Sequence, residues 1–273
     1  MLKDTLQQKN NIDHTFVICA YKESEYLEEC VLSLKNQTIS SGIIMVTSTP
    51  NPKIKETADR YQIPLFVNEG EGGIAQDWNF GMQQCTTRYI TIAHQDDTYE
   101  KKYLECILKY LQKSSHPMIA FTDYGEIRNG QICDDSGIVR IKRQMLIPLR
   151  ARIFWKSRFV RRRILGMGNA ICCPAVTYVM DQLQKPVFEV GLGSNLDWQT
   201  WERLSRQKGA FVYVPQILMH HRIHNESTTS ELINNHQRSG EDYEMFSRFW
   251  PSWIAGILTK IYSKSEQYNN TDN

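Results

Sequence analysis

The first 124 residues alternate short apolar runs with amphipathic stretches, and no other feature limits the fold so strongly. HTFVICAY, GIIMVT, IPLFVN, RYITIAH and MIAFTDY read as strands, each a nearly continuous run of β-branched, aliphatic and aromatic residues. Between them lie helical patterns over about Glu23–Asn36 (with Leu27, Val31 and Leu34 on one face), PKIKETADRY, about Ile74–Cys85 and about Tyr99–Gln112. Strands apolar on both sides need cover on both sides, and strands joined through helices run parallel. The expected fold class is α/β: a central, mostly parallel sheet with flanking helices.

After Tyr124 the pattern changes. GEIRNGQIC reads as a hairpin turning at Asn129-Gly130. A helix is expected to start near Pro174 and another to run from about Leu196 to Arg206, followed by the strand AFVYVP. From about Glu231 to Ser263 the chain reads as helical, and the polar SEQYNNTDN as a frayed tail. The expected organisation is a nucleotide-binding half over residues 1–124, a second half of the same domain over 125–230, and a C-terminal helical extension with a disordered tail over 231–273. A chain of 273 residues is long enough to bury a large core.

The formal charge is only +2, but it is unevenly spread. From Ser136 to Leu165 there is no Asp or Glu, while Arg140, Lys142, Arg143, Arg150, Arg152, Lys156, Arg158, Arg161, Arg162 and Arg163 all fall there. An anionic partner is expected to approach this segment. No apolar run reaches the ~18–20 residues that cross a bilayer, and MLKDTLQQKNNIDH has no apolar leader core, so a cytoplasmic protein is expected. The seven cysteines are scattered, without a CxxC pair, and read as reduced thiols. Three N-glycosylation patterns, at Asn36, Asn225 and Asn269, then read as coincidence.

In open parallel sheets, ligands bind beyond the carboxyl ends of the strands, and three features lie at such positions. Ala20-Tyr21-Lys22-Glu23 offers an aromatic face and a carboxylate to a base; equally, Glu23 suits the positive end of a helix. His94-Gln95-Asp96-Asp97-Thr98 sets two carboxylates side by side, an arrangement relieved by a divalent cation. The plain alternative is that Asp97 caps a helix, with Glu100 completing a capping box. Asp197 stands near a helix start between apolar residues, and His221 and His224 follow on a later segment, able to serve a metal or a phosphate or simply to lie at the surface.

Taken in order, these motifs resemble those of inverting family-2 glycosyltransferases with the GT-A fold, from about Thr15 to Thr229. VICAYKESEYLEECVLSLKNQT is similar to that family's opening strand and helix, and GGIAQDWNFGM to its Gly-x-x-x-x-x-Asn-x-Gly segment. HQDDTYE takes the place of its Asp-x-Asp-Asp metal motif, LDWQTWERL of its Glu-Asp-Trp-Asp-Leu-Trp-x-Arg-Leu segment, and HRIHNES of its Tyr-Arg-Ile-His ending. Five positions depart. The family's second strand ends in acids that recognise the nucleoside, and here Thr47 and Ser48 carry hydroxyls. His94 stands where the first metal-motif acid is common, Leu196 where a Glu is usual, and Trp78 where an Arg is frequent.

The resemblance implies a metal-dependent inverting transfer of a sugar from a nucleotide-sugar, expected to be uridine-linked, to a hydroxyl of a glycan, glycolipid or glycoprotein. It implies donor contacts from Ala20, Tyr21, Glu23, Thr47, Ser48, Asn79, Gln95 and Asp96. Mn²⁺ or Mg²⁺ would be held by Asp97 and His224, with His220 and His221 structural. Asp197 would be the general base, and Trp198, Trp201 and Asn169 would shape the acceptor side. Two other classes fit parts of the chain. A nucleotidyltransferase shares paired carboxylates on a parallel sheet, and a non-catalytic nucleic-acid or anion binder would use residues 140–163. A pI of about 8.1 and motifs lying elsewhere argue against a nucleic-acid partner. The basic segment, its aromatics Phe154, Trp155 and Phe159, and the Trp-rich stretch after Phe246 are expected to touch the inner face of an anionic membrane, or the C-terminal helices to form a homodimer.

Overall fold

Strand β1 (His14–Cys19) is buried along nearly its whole length, which places it centrally in a covered sheet. It runs parallel to β2 (Gly42–Thr47) on one side and to β4 (Tyr89–His94) on the other, and β3 (Leu65–Val67) extends the sheet beyond β2. Helices α1 (Leu27–Lys35), α2 (Pro52–Arg60) and α3 (Ile74–Gln83) make the crossovers. Helix α1 buries Leu27, Cys30, Val31 and Leu34, the face that its sequence marks out. Helix α2 starts where the Asn51 side chain accepts from the Ile54 amide, with Pro52 in the first turn, where no amide hydrogen is needed. The chain is a computed structural model that describes residues 13–224 and 237–271. The Asn225-Glu226-Ser227 part of the HRIHNES motif and residues 231–236 of the C-terminal stretch lie outside the described residues.

Beyond β4 the sheet becomes mixed. A two-residue strand β5 (Thr98–Tyr99) precedes α4 (Tyr103–Leu111), and β6 (Pro117–Arg128) then folds back onto β7 (Gln131–Cys133). That hairpin turns at Asn129-Gly130, as the sequence indicates, with both residues at positive φ (51° and 75°). The helix expected near Pro174 does not form. Cys173–Ala175 make a single 3-10 turn, and Val176–Val179 is instead strand β8, antiparallel to both β4 and β6. The β-branched and aromatic run Val-Thr-Tyr-Val suits a buried strand, and pairing on both edges decides the matter. Strand β9 (Ala210–Ile223) lies parallel to β6 with register shifts, so the described strands are ordered β3-β2-β1-β4-β8-β6-β9-β5, with β7 on β6.

The basic segment forms α5 (Gly137–Met145), irregular turns and α6 (Arg158–Leu165), and some of its cations turn inward. Arg161 is 1% exposed and donates to the carbonyls of Ser205, Gln207 and Gly209, the ends left open where α7 (Leu196–Ser205) stops. Arg162 pairs with Glu202, and Arg143 donates to the Tyr124 carbonyl. The expectation that the whole segment faces a partner is corrected on this point: several of its cations hold the second half together. Two last helices, α8 (Gln237–Ser247) and α9 (Ser252–Thr271), pack over α7, with Met245, Phe246 and Ala255 buried. Helix α9 runs through Thr271, into the stretch expected to fray.

Arg161→Met should keep the fold while losing its three carbonyl bonds. Hydrogen bonds from a charged donor are worth ~1.5–3 kcal/mol each and are not additive, so a loss of about 2–4 kcal/mol in urea unfolding is expected. An unchanged midpoint would show that water satisfies those carbonyls equally well.

Candidate active site

The carboxyl ends of β1, β2 and β4, the loop before α7 and the end of β9 open onto one cleft of about 1250 Å³. Its lining includes Tyr21, Glu23, Ser48, Asp77, His94, Asp96, Asn169, Asp197 and His224, so the three features singled out in the sequence do converge.

On the β1 side, Tyr21 is half exposed at the rim. Its backbone is held at both ends by Gln95, whose amide accepts from the Tyr21 N–H (3.0 Å) and donates to the Tyr21 carbonyl (2.8 Å). Gln95 therefore lines the cleft but spends its polar atoms on the turn. Ala20 is buried behind it, its amide bonded to Val46. Thr47 is also buried, its hydroxyl accepting from the Thr49 amide, and it does not reach the cleft. Ser48 does, and its hydroxyl donates to Asp77 Oδ2 at 2.6 Å while Asn68 Nδ2 donates to Asp77 Oδ1 at 2.7 Å. A carboxylate thus stands at the end of β2 after all, supplied from α3. The sequence signal was the acid within GGIAQDWNFGM. Asn79, expected to contact the donor, does not line this cleft: its amide makes two hydrogen bonds to the Phe188 backbone.

At the end of β4 the two adjacent carboxylates part company. Asp96 faces the cleft, and its Oδ2 lies 2.9 Å from His224 Nε2. Burial opposes its ionisation, but the bond to His224 and the fields of His94 and His221 hold its pKa below the usual range. Asp97 points the other way and is fully buried. Its Oδ1 accepts from His221 Nδ1 (2.9 Å) and from the Arg222 amide (3.0 Å), while its Oδ2 has no hydrogen-bond partner and lies 3.7 Å from His94 Nδ1. Donor atoms of His94, Asp97 and His221 all lie within 4.8 Å of one another. His221, read from sequence as structural, therefore belongs to the site; His220 does pair elsewhere, with Asp134 at 3.0 Å. Gly125 beside it has no room for a Cβ, which would stand 2.1 Å from Asp134 Oδ1.

Asp197 sits in the first turn of α7 and also lines the cleft. Its Oδ1 accepts from the Trp198 amide (2.7 Å) and its Oδ2 from Asn169 Nδ2 (2.8 Å). Burial raises its pKa, with those two bonds pulling the other way. The loop before it is anchored by Glu241 of α8, whose carboxylate accepts from the amides of Gly193, Ser194 and Asn195. Asn169 Oδ1 is buried without a hydrogen-bond partner. Trp198 and Trp201, expected to wall the acceptor side, are fully buried instead. Their indole N–H groups donate to Leu165 and Ile171 carbonyls, because the apolar face of α7 turns to the core.

With this geometry in view, the sequence profile of glycosyl transferase family 2 matches residues 15–170. The chain belongs to that family. It is 23% identical over 239 residues to an uncharacterised glycosyltransferase of Haemophilus influenzae, covering 82% of this chain and 68% of that one. It is 25% identical over 100 residues to glycosyltransferase GlyA of Streptococcus pneumoniae, a match to 35% of this chain and 14% of that protein. Among solved structures it superposes on the mannosyltransferase PcManGT of Pyrobaculum calidifontis, in complex with GDP-Man and Mn²⁺, with a TM-score of 0.64 at 12% identity, over 91% of this chain and 70% of the other. TarS 1-349 of S. aureus in complex with UDP-GlcNAc superposes with a TM-score of 0.59 at 14% identity, over 90% and 70%. The family-2 chain is a glycosyltransferase with an α/β, GT-A-like fold and a C-terminal helical part.

His221 carries a pH prediction. Burial lowers its pKa, but Asp97 outweighs it, and the ring is pushed up from 6.5 to about 9. A histidine with a raised folded pKa stabilises fully below its unfolded value and loses that contribution as pH rises through the folded one. Urea midpoints should therefore fall between about pH 6.5 and about 9 in a way that His221→Gln abolishes. The same slope in the variant would assign it to another group.

Proposed function

We propose that this glycosyltransferase binds a nucleotide-sugar, uridine-linked, along the ends of β1 and β2 and transfers its sugar with inversion to a hydroxyl held beside Asp197. One observation carries this reading. Two carboxylates on one cleft are tuned apart: Asp96 is held ionised by histidines, and Asp197 is driven by burial to hold its proton more strongly. A leaving-group site and a general base need that division.

The base of the nucleotide would lie by Tyr21, with Glu23 close by and Asp77 behind Ser48. A carboxylate accepts hydrogen bonds and donates none, so it suits a base that offers it an N–H, such as the ring N–H of uracil. The residues fit a divalent cation. Asp96 and His224 bring an oxygen and an imidazole together at the cleft edge, and the unpartnered Asp97 Oδ2 gives the same corner a further buried acceptor. We place the ion on Asp96 and His224, which reach the cleft, rather than on the buried Asp97; Mn²⁺ accepts imidazole more readily than Mg²⁺. Such an ion supplies charge neutralisation for a departing diphosphate. Asp97 acts from behind, fixing His221 and the Arg222 backbone.

Asp197 would take the proton of the attacking hydroxyl. Asn169 would orient that carboxylate through its Nδ2. The donor half, residues 1–124, and the acceptor half, 125–230, would thus meet across the cleft, and a hydroxyl attacking the anomeric carbon from the face opposite the departing nucleoside diphosphate would form the new glycosidic bond as the bond to the diphosphate breaks, with inversion in one displacement. The acceptor would be a glycan, glycolipid or glycoprotein.

Incubation with a panel of sugar nucleotides and Mn²⁺ should release a nucleoside diphosphate, and excess chelator or Asp96→Asn should suppress that release. Turnover of a nucleoside triphosphate with release of pyrophosphate would favour nucleotidyl transfer instead.

Asp197→Asn should lose ~10²–10⁴-fold in turnover, the usual worth of a positioned base, with donor affinity unchanged by calorimetry. Because burial raises its pKa, the acid limb of kcat/KM should lie above the ~3.9 of an ordinary aspartate, activity rising with pH. A variant with near-normal turnover on the true acceptor would move the base elsewhere.

A further inference from the structure

Large apolar side chains are exposed in an uneven way. Helix α9 turns Ala255, Leu258 and Tyr262 inward and leaves Trp253 (69% exposed), Ile257 (52%) and Ile261 (60%) on its outer side. These three recur every fourth residue, which makes one stripe along the helix. Trp250, just before α9 begins, meets α6. Arg163 lies over the rings of both Phe159 (5.3 Å) and Trp250 (5.0 Å), and Phe159 is itself 70% exposed. An apolar strip with a tryptophan at one end has no partner among the described residues of this chain.

Charge decides what would cover it. Neither α6 nor residues 252–263 of α9 contain an acid, whereas Arg158, Arg163 and Lys260 are exposed alongside the apolar residues. A second copy seated symmetrically on this face would set the same cations against one another with no carboxylate to relieve them. A bilayer with anionic headgroups satisfies both features at once: it takes up the apolar stripe at the headgroup boundary and attracts each cation. No helix of the described residues is long and apolar enough to cross a membrane, so contact would be along the surface.

We propose that the outer face of α9, joined to α6 through Phe159 and Arg163, docks on an anionic phospholipid surface. The placement suits the cleft. The inner side of α9 touches its wall, since the Tyr262 ring approaches Gly168 so closely that a Cβ there would lie 3.0 Å from it, and the next residue, Asn169, holds Asp197. The surface contact itself does not depend on the transfer reading. If that reading holds, the acceptor side lies about one helix diameter, ~10 Å, from the lipid, and a lipid-linked acceptor would enter there.

Flotation of the full chain with phosphatidylcholine vesicles, with and without phosphatidylglycerol, tests this. Binding is expected only to the anionic vesicles, and salt should weaken it. Trp253→Ser combined with Ile257→Ser, both at exposed positions, should abolish it while leaving donor hydrolysis unchanged. Lys260→Gln should lower partitioning about fivefold, the equivalent of ~1 kcal/mol for one interfacial cation. No flotation with anionic vesicles, or equal flotation with neutral ones, would overturn the proposal. So would a dimer in light scattering that the double substitution dissolves, because the face would then belong to a second copy.

Discussion

Asp97 is the carboxylate on which the rest of the site depends. It is fully buried at the end of β4, and it accepts from His221 and from the Arg222 amide at the far end of β9. An ionised carboxylate without water costs several kcal/mol unless hydrogen bonds replace its hydration, so its partners must be held in place. Arg222 extends the tie, donating to the Asp96 carbonyl and to Glu29 of α1. The last strand of the second half is thereby locked against the first, and His224 is delivered to Asp96. Without that tie, the donor corner would keep only the His94 imidazole of the first half and lose those of His221 and His224.

The strand–helix alternation of the first half was legible because its periodicity is local and strong. Strand β8 was not, since four residues after a proline carry too little pattern and their place is set by pairing with β4 and β6. In the site, the motif order located Asp96, Asp197 and His224, but not which way each side chain turns. Asp96 and Asp97 are adjacent, and their opposite orientations follow from β9, which lies more than a hundred residues away in sequence. The tryptophans of α7 read as a cleft wall because a helix start flanked by aromatics looks the same whether they face a ligand or the core.

Departures from the family pattern become intelligible in pairs. Trp78 and His94 each replace a charged residue common in the family, and in the fold they stack on one another with ring centroids 5.1 Å apart. Losing an acid at one position and a base at the other leaves the local charge balanced, and the two rings pack on one another. The hydroxyls at Thr47 and Ser48 are matched in the same manner by Asp77, which reaches the end of β2 through the Ser48 hydroxyl. The long cationic run likewise divides once folded: Arg161 and Arg162 hold the end of α7 and its neighbours, while Arg158 and Arg163 remain outside.

The central claim is that one cleft joins a diphosphate corner at Asp96 and His224 to a base at Asp197. A crystal structure of the protein with uridine diphosphate and Mn²⁺ tests it most directly. The account predicts the uracil against Tyr21 with Asp77 within reach, the ion on Asp96 and His224, and the β-phosphate pointing across the cleft toward Asp197. A nucleotide bound with its phosphates turned away from Asp197, or an ion seated without either Asp96 or His224, would contradict it.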